Sequence, residues 1–331
     1  MRKYAVVFVH GLAKKPPPDK LEEIWRWGLE RSDPPPPFDG KNPGIDLDTY
    51  GVPGFFNYYA DVFYGTDYET AFESYFESES EAVVKEENLD EVAGELVTPT
   101  PATTEEWKFL EEVERKMRTA PSPPEPAGLE AKPAAQEASQ LEIASWLPRP
   151  VKEAIIKKAA MEAYYFLFDK DYVRPSDGAN FKVREELRNR LIEKLLEASK
   201  EAERLVLVTH SMGTMVAYDV LRNCVECPHV HALFTLGSPL GISEVQEQLL
   251  AKDKQHVDFP PALGRWINVY DPLDPVCGAD PKMDEYDAFE GRKVEDVRES
   301  NWGSWRHTIT HYFAGKKFRV LLAEVLALQR P

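Results

Sequence analysis

Two kinds of apolar pattern alternate along the chain. Tyr4–Val9, Leu205–Val208, Ala232–Leu236 and Trp266–Tyr270 are short unbroken runs, as expected of strands buried on both faces. Between them, apolar residues recur every three or four positions, the mark of helices with one buried face. The clearest case is Val183, Leu187, Leu191 and Leu195, flanked by Ile192 and Leu196. Leu21–Leu29 reads as a helix entered from a proline run and an aspartate and stopped by Pro34–Pro37. Val151, Ile155, Ala159 and Ala163 mark another helix, as do 212–223, 243–251 and Phe318–Leu328. Aromatic-rich Phe55–Tyr64 suits a further strand, and Val294–Val297 one more. Strands alternating with helices predict an α/β fold: a mostly parallel sheet of about six strands with helices on both faces.

One stretch interrupts this alternation. Residues 69–130 hold 17 acidic and 5 basic residues, and Pro, Ala, Thr and Ser fill much of 98–138. Such a segment buries too little apolar surface to offset its ordering entropy. The expectation is a single domain over 1–331 carrying an acidic, Pro-rich insertion at 69–147, lid-like or partly disordered, with a short helix at Trp107–Met117. Its protein partner, if it has one, is unknown.

Composition narrows the function classes. The formal charge of −17 argues against nucleic acid and anionic membranes as partners. No run reaches the roughly 18 apolar residues of a membrane helix. The amino terminus has two cations before an apolar run, but that run is short and lacks a small-residue cleavage site, so it reads as a strand. Three cysteines in 331 residues are not a disulfide framework, and the cytoplasm is the expected location.

Ligands of parallel sheets bind at the carboxyl ends of the strands. Four apolar runs end there in small, polar or ionisable residues: His10-Gly11, Ser211, Gly237-Ser238-Pro239 and Asp271 to Asp274. Thr209-His-Ser-Met-Gly213 is a variant of the G-x-S-x-G turn that presents a nucleophilic serine between strand and helix. Gly213 meets the need for a small residue two positions after Ser211, and Thr209 departs tolerably from glycine. The competing reading is that Ser211 simply caps the helix. At the first strand, Gly11 allows close backbone approach to a ligand, which makes the N–H groups of Leu12 and Met212 candidate oxyanion donors.

Cys224-x-x-Cys227-x-His229-x-His231 has zinc-ligand residue types, but tetrahedral convergence over so short a stretch is cramped. Partly buried thiols are the plainer reading, and neither a metal nor a cofactor is expected.

The set VVFVHGL, LVTHSMG, LFTLGSPLG, WINVYDPLDPV and a late histidine before an aromatic pair resembles the α/β-hydrolase superfamily, and within it lipase- and esterase-like serine hydrolases. The resemblance covers about 1–65 and 150–331. It implies the order nucleophile, acid, base. It assigns the nucleophile to Ser211 and the acid to the loop after a late strand, where Asp274-Pro275-Val276 fits better than Asp271 or Asp280. It places the base before the last helix, where His307 fits better than His311; His10 and His210 belong to the turns. The expected activity is cleavage of a small-molecule carboxylic ester, lipid-like or otherwise hydrophobic, through an acyl-enzyme. An acyltransferase, thioesterase, amidase or peptidase would use the same residues, and a silent hydrolase scaffold working through its acidic segment is the alternative of a different class.

Overall fold

The structure is a computed structural model; it describes residues 1–11, 14–32, 42–66, 96–121, 149–250, 256–301 and 305–328. The strands are β1 Arg2–Val9, β2 Gly54–Asn57, β3 Asp171–Val173, β4 Asn180–Lys182, β5 Ala202–His210, β6 Val230–Leu236, β7 Leu263–Tyr270 and β8 Val294–Arg298. The helices are α1 Pro18–Glu30, α2 Ala60–Tyr64, α3 Thr104–Thr119, α4 Arg149–Leu167, α5 Val183–Glu201, α6 Met212–Asn223, α7 Ser243–Leu249, α8 Ile309–Ala314 and α9 Lys316–Val325. A 3-10 turn, Pro239–Gly241, precedes α7.

Six strands pair in the order β2-β1-β5-β6-β7-β8, every pair parallel. Alternate residues of β1 enter separate cores. Ala5, Val7 and Val9 join the cluster that contains Val183, Leu187 and Leu191 of α5 and Met215 of α6. Tyr4, Val6 and Phe8 join Leu21 and Trp25 of α1 and Phe318 and Leu322 of α9. Helices therefore cover both faces, which is why the strands read as unbroken apolar runs. From β1 the chain turns outward to β2 and later returns on the other side as β5. The order reverses between β1 and β5, and it is outside the carboxyl ends of the strands at such a switch point that parallel sheets bind their ligands.

Several elements differ from the sequence-based expectation. The strand expected over Phe55–Tyr64 is confined to Gly54–Asn57. Beyond it, the Tyr59 N–H donates to His10 Nε2 at 3.0 Å instead of joining the ladder, and a short helix follows until Gly65 at φ 73°. The carboxyl-terminal helix is preceded by a separate one, α8, with Gly315 at the break. The hairpin of β3 and β4, three residues each, was below what alternation can signal.

Residues 69–95 and 122–147 of the expected insertion lie outside the described residues; 96–121 are described, and there the short helix is longer than its apolar pattern suggested. Thr103 caps α3 by accepting the Glu106 N–H at 3.2 Å. Glu106 then accepts from the Ala102 N–H, the Tyr164 hydroxyl at 2.6 Å and Lys170 Nζ at 2.9 Å. Phe109, Val113 and Met117 bury one face in the main core, while Trp107 remains exposed. Lys116 bonds Glu244 and Ser243 at the start of α7, on the carboxyl-end side of β6.

Candidate active site

Ser211 follows the last residue of β5 and precedes the first residue of α6. Its backbone is held at φ 55°, ψ −128°, a conformation that costs a non-glycine residue on the order of 1–3 kcal/mol. Neighbouring strands and side chains impose it. The Ser211 N–H donates to the Leu236 carbonyl at 3.1 Å. Its carbonyl accepts from the Thr214 N–H at 3.0 Å and from the Thr214 hydroxyl at 2.6 Å. That hydroxyl points its proton at the Ser211 carbonyl, so it accepts from Ser238 Oγ at 2.7 Å; Ser238 in turn accepts the Leu240 N–H. A buried relay thus ties the turn after β5 to the turn after β6. The side chain of Ser211 makes no capping hydrogen bond, which removes the simple N-cap reading. Its Oγ is buried and has no hydrogen-bond partner among the described residues.

Two glycines shape the turn by close approach. A Cβ on Gly213 would lie 2.4 Å from the His10 carbonyl oxygen and 2.7 Å from that of Val9. A Cβ on Gly11 would lie 2.6 Å from Ser211 Cβ. All three distances are closer than real Cβ atoms approach, so β1 and the serine turn meet only because these positions lack side chains. Thr209 fits where a glycine is usual because its hydroxyl donates across to the Phe234 carbonyl at 2.8 Å.

Asp274 and His307 form a buried pair beside this turn. The two carboxylate oxygens of Asp274 stand 2.8 and 3.0 Å from His307 Nδ1. An ionised carboxylate only accepts, so Nδ1 carries the proton and Nε2 keeps a lone pair. His307 Nε2 has no hydrogen-bond partner among the described residues. Burial alone would raise the Asp274 pKa, but the imidazole, the Tyr312 hydroxyl and the Val276 N–H together hold it below the usual carboxylate range. Gly237, at φ 55°, makes room for the pair: a Cβ there would lie 2.8 Å from Asp274 Oδ2 and 3.0 Å from His307 Nδ1. Leu236, which precedes Gly237, accepts the Ser211 N–H, so the serine and the imidazole sit over adjacent positions of one strand end.

The other carboxylates near β7 do different work. Asp271 accepts from the N–H groups of Leu273 at 2.9 Å and Asn301 at 2.7 Å, and from Arg306 Nη1 at 3.2 Å. It braces the loop that delivers His307, and burial raises its pKa. Burial, then Glu285 and Asp284, push Asp280 up to about 6.

The remaining histidines of these turns are buried and neutral. His10 donates from Nδ1 to the Gly11 carbonyl at 2.7 Å and accepts the Tyr59 N–H, and burial lowers its pKa to about 3. His210 donates from Nε2 to the His307 carbonyl at 2.8 Å, with the two rings 4.6 Å apart. Burial, with His307 next, puts its pKa well below 6.5. His311 lies in α8, and burial lowers it to about 3. Of the two candidate oxyanion donors, Met212 opens α6, where the first N–H groups lack intrahelical partners, and Leu12 lies outside the described residues. Sequence reasoning placed Gly237 and Ser238 at the strand end without giving them a role, and it missed the bonds of Tyr312 and Thr214, of which only the aromatic pair after His307 was a hint.

A family profile described as "PGAP1-like alpha/beta domain" matches residues 134–265, a span that includes β5, Ser211, β6 and the LGSP turn. No curated protein matches the chain. Among the described residues, no helix is long and apolar enough to cross a membrane. The six-stranded parallel sheet with helices on both faces is an α/β-hydrolase-type fold, and over residues 134–265 the chain is similar to the PGAP1-like family.

Proposed function

We propose that the chain is a serine hydrolase that cleaves carboxylic esters through an acyl-enzyme on Ser211. His307 Nε2 takes the Ser211 proton as Oγ attacks the ester carbonyl. Asp274 orients the imidazole and stabilises its cation without taking the proton. The Met212 N–H, at the positive end of α6, and the Leu12 N–H receive the developing oxyanion. His307 then protonates the leaving alcohol and activates the water that releases the acid.

One observation carries the reading. Ser211 is held in a strained turn with a buried, unengaged Oγ, over the same strand end as an imidazole already oriented by a carboxylate. A capping or packing serine needs neither the strain nor the pair. A hydrophobic ester is the favoured substrate class, with the segment 69–147 as a wall or lid of one continuous domain. The docking of α3 against α7 supports that role, since α7 follows the turn after β6. Three thiols, Cys224, Cys227 and Cys277, suit a reducing cytoplasmic setting.

A fluorophosphonate probe tests the chemistry directly. The protein should be labelled once, on Ser211, and Ser211→Ala should abolish both labelling and ester turnover, a loss of at least ~10³-fold. Labelling that persists in Ser211→Ala would remove Ser211 from the mechanism.

A further inference from the structure

Asp274 accepts more hydrogen bonds than the orientation of one imidazole requires. Its Oδ1 takes the Val276 N–H at 2.8 Å, and its Oδ2 takes both His307 Nδ1 at 2.8 Å and the Tyr312 hydroxyl at 2.6 Å. The phenol oxygen accepts the Asp271 N–H at 3.3 Å, which uses a lone pair and leaves its single proton for Asp274. Asp274 and Tyr312 are both fully buried. Burial first, and the Asp274 charge second, put the Tyr312 pKa well above 10, so the phenol remains a neutral donor. Tyr312 also packs on Gly237: a Cβ there would lie 3.0 Å from its Cε2, so acid, base and phenol gather around one glycine.

We propose that Tyr312 is a positioning residue that sets the basicity of His307 by sharing Asp274 Oδ2 with it. The proposal rests on the reading of Ser211, Asp274 and His307 as the catalytic groups. A carboxylate that receives a phenol proton has less negative charge to offer the imidazole. His307 is then a weaker base, and its cation is discharged more readily to the leaving alcohol. The phenol also keeps the carboxylate from rotating away from Nδ1. Tyr312 stands five residues after His307, at the first turns of α8, so the base and the second donor to its acid arrive on one segment.

Tyr312→Phe keeps the ring and removes the hydroxyl. Loss of a buried hydrogen bond to a carboxylate should raise the acidic limb of the kcat/KM pH profile by about one unit. It should lower kcat about tenfold, with KM changed less than about twofold. The His307 titration, followed by NMR in the resting protein, should move upward by the same amount. Wild-type protein should also show a slowly exchanging phenol proton that is missing from the variant. An unmoved acidic limb and an unmoved His307 titration, with only kcat or Tm lowered, would make Tyr312 a packing residue and overturn the proposal. If Tyr312→Phe does not fold, the phenol proton in wild-type protein decides: its presence supports the bond, and its absence overturns it. The NMR readings need no turnover. A protein that resists the fluorophosphonate probe yet shows the titration shift would therefore sink the hydrolase reading and leave the tuning of His307 intact.

Discussion

Chemically rich residues gather at both ends of the sheet. At the amino end of β6, Cys224, Cys227, His229 and His231 crowd into one short stretch of chain. At the carboxyl ends of β5, β6 and β7, Ser211, Gly237, Asp274 and His307 arrive from separate parts of the sequence. Burial treats the two groups differently. It raises the Cys224 pKa and pushes the Cys227 thiol up to about 12, so both keep their protons and are weak nucleophiles. Burial also lowers His231, whose ring rests 5.8 Å from Tyr4. At the other end Asp274 stays ionised because three donors converge on it. Proximity in sequence supplied residue types at the amino end; convergence of hydrogen bonds supplied states of charge at the carboxyl end.

The largest expected effect separates the two carboxylates of the β7 loop. Asp274→Asn should cut ester turnover by about 10⁴-fold, because an amide favours the wrong imidazole tautomer. Asp271→Asn should cost less than about tenfold in rate, and on the order of 1–3 kcal/mol in stability through Arg306 and the Asn301 N–H. Steady-state kinetics with thermal melts decides, and the reverse ranking would give the acid's role to Asp271.

Acid should act next most strongly, and on stability. The native pKa values of His10 and His311 lie at about 3, and that of His210 is also depressed, all below the unfolded value near 6.5. The unfolded chain therefore binds more protons as pH falls. The stability these neutral rings contribute is complete above about pH 6.5 and is lost as pH drops toward 3. His10 and His311 each take away about 1.4 kcal/mol per pH unit across that window, about 3 kcal/mol per unit for the two together, and His210 acts in the same direction. Denaturant midpoints measured between pH 8 and 5 would show the decline; a flat response would mean the rings already charge in the native state.

Gly237→Ala should be milder. A methyl forced between Asp274 and His307 at φ 55° should lower kcat by roughly ten- to a hundredfold, against a stability loss of about 1–2 kcal/mol. Unchanged kcat with lowered Tm would reduce Gly237 to a backbone role. Smallest of all, the Cys224→Ser, Cys227→Ser double variant should keep its rate within about twofold and its insensitivity to chelators. Chelator-sensitive activity would reverse the contrast between the two ends of the sheet.

How much of this was legible beforehand depends on the range of the cause. The four central strands could be read because burial on both faces makes each locally apolar, as in Leu205–Val208, whereas the edge strands β2 and β8 are only partly buried. The α5 stripe of Val183, Leu187 and Leu191 was equally local. Ser211 stood out because its turn requires Gly213 two positions on, and the reason for that glycine, the carbonyls of Val9 and His10, lies two hundred residues upstream. Asp271 and Asp274 could not be separated by spacing alone. What distinguishes them is which loop each one meets, Asn301 and Arg306 or His307 and Tyr312. The Tyr312 hydroxyl and the relay through Thr214 and Ser238 left no local mark, since the same residues in any helix or turn would look alike.

The pairing of β1 with β5 joins Arg2 to Ala202 and Val9 to Thr209, positions far apart in the chain. Closing so long a loop carries an entropy cost that rises only with the logarithm of its length, about 0.6 kcal/mol for each doubling. Lengthening the connections within the stretch between β2 and β5 therefore costs the sheet little, whereas α4 and α5, which pack into its core, have to stay. Whatever that excursion contributes to substrate choice can diversify while the geometry around Ser211 stays as it is.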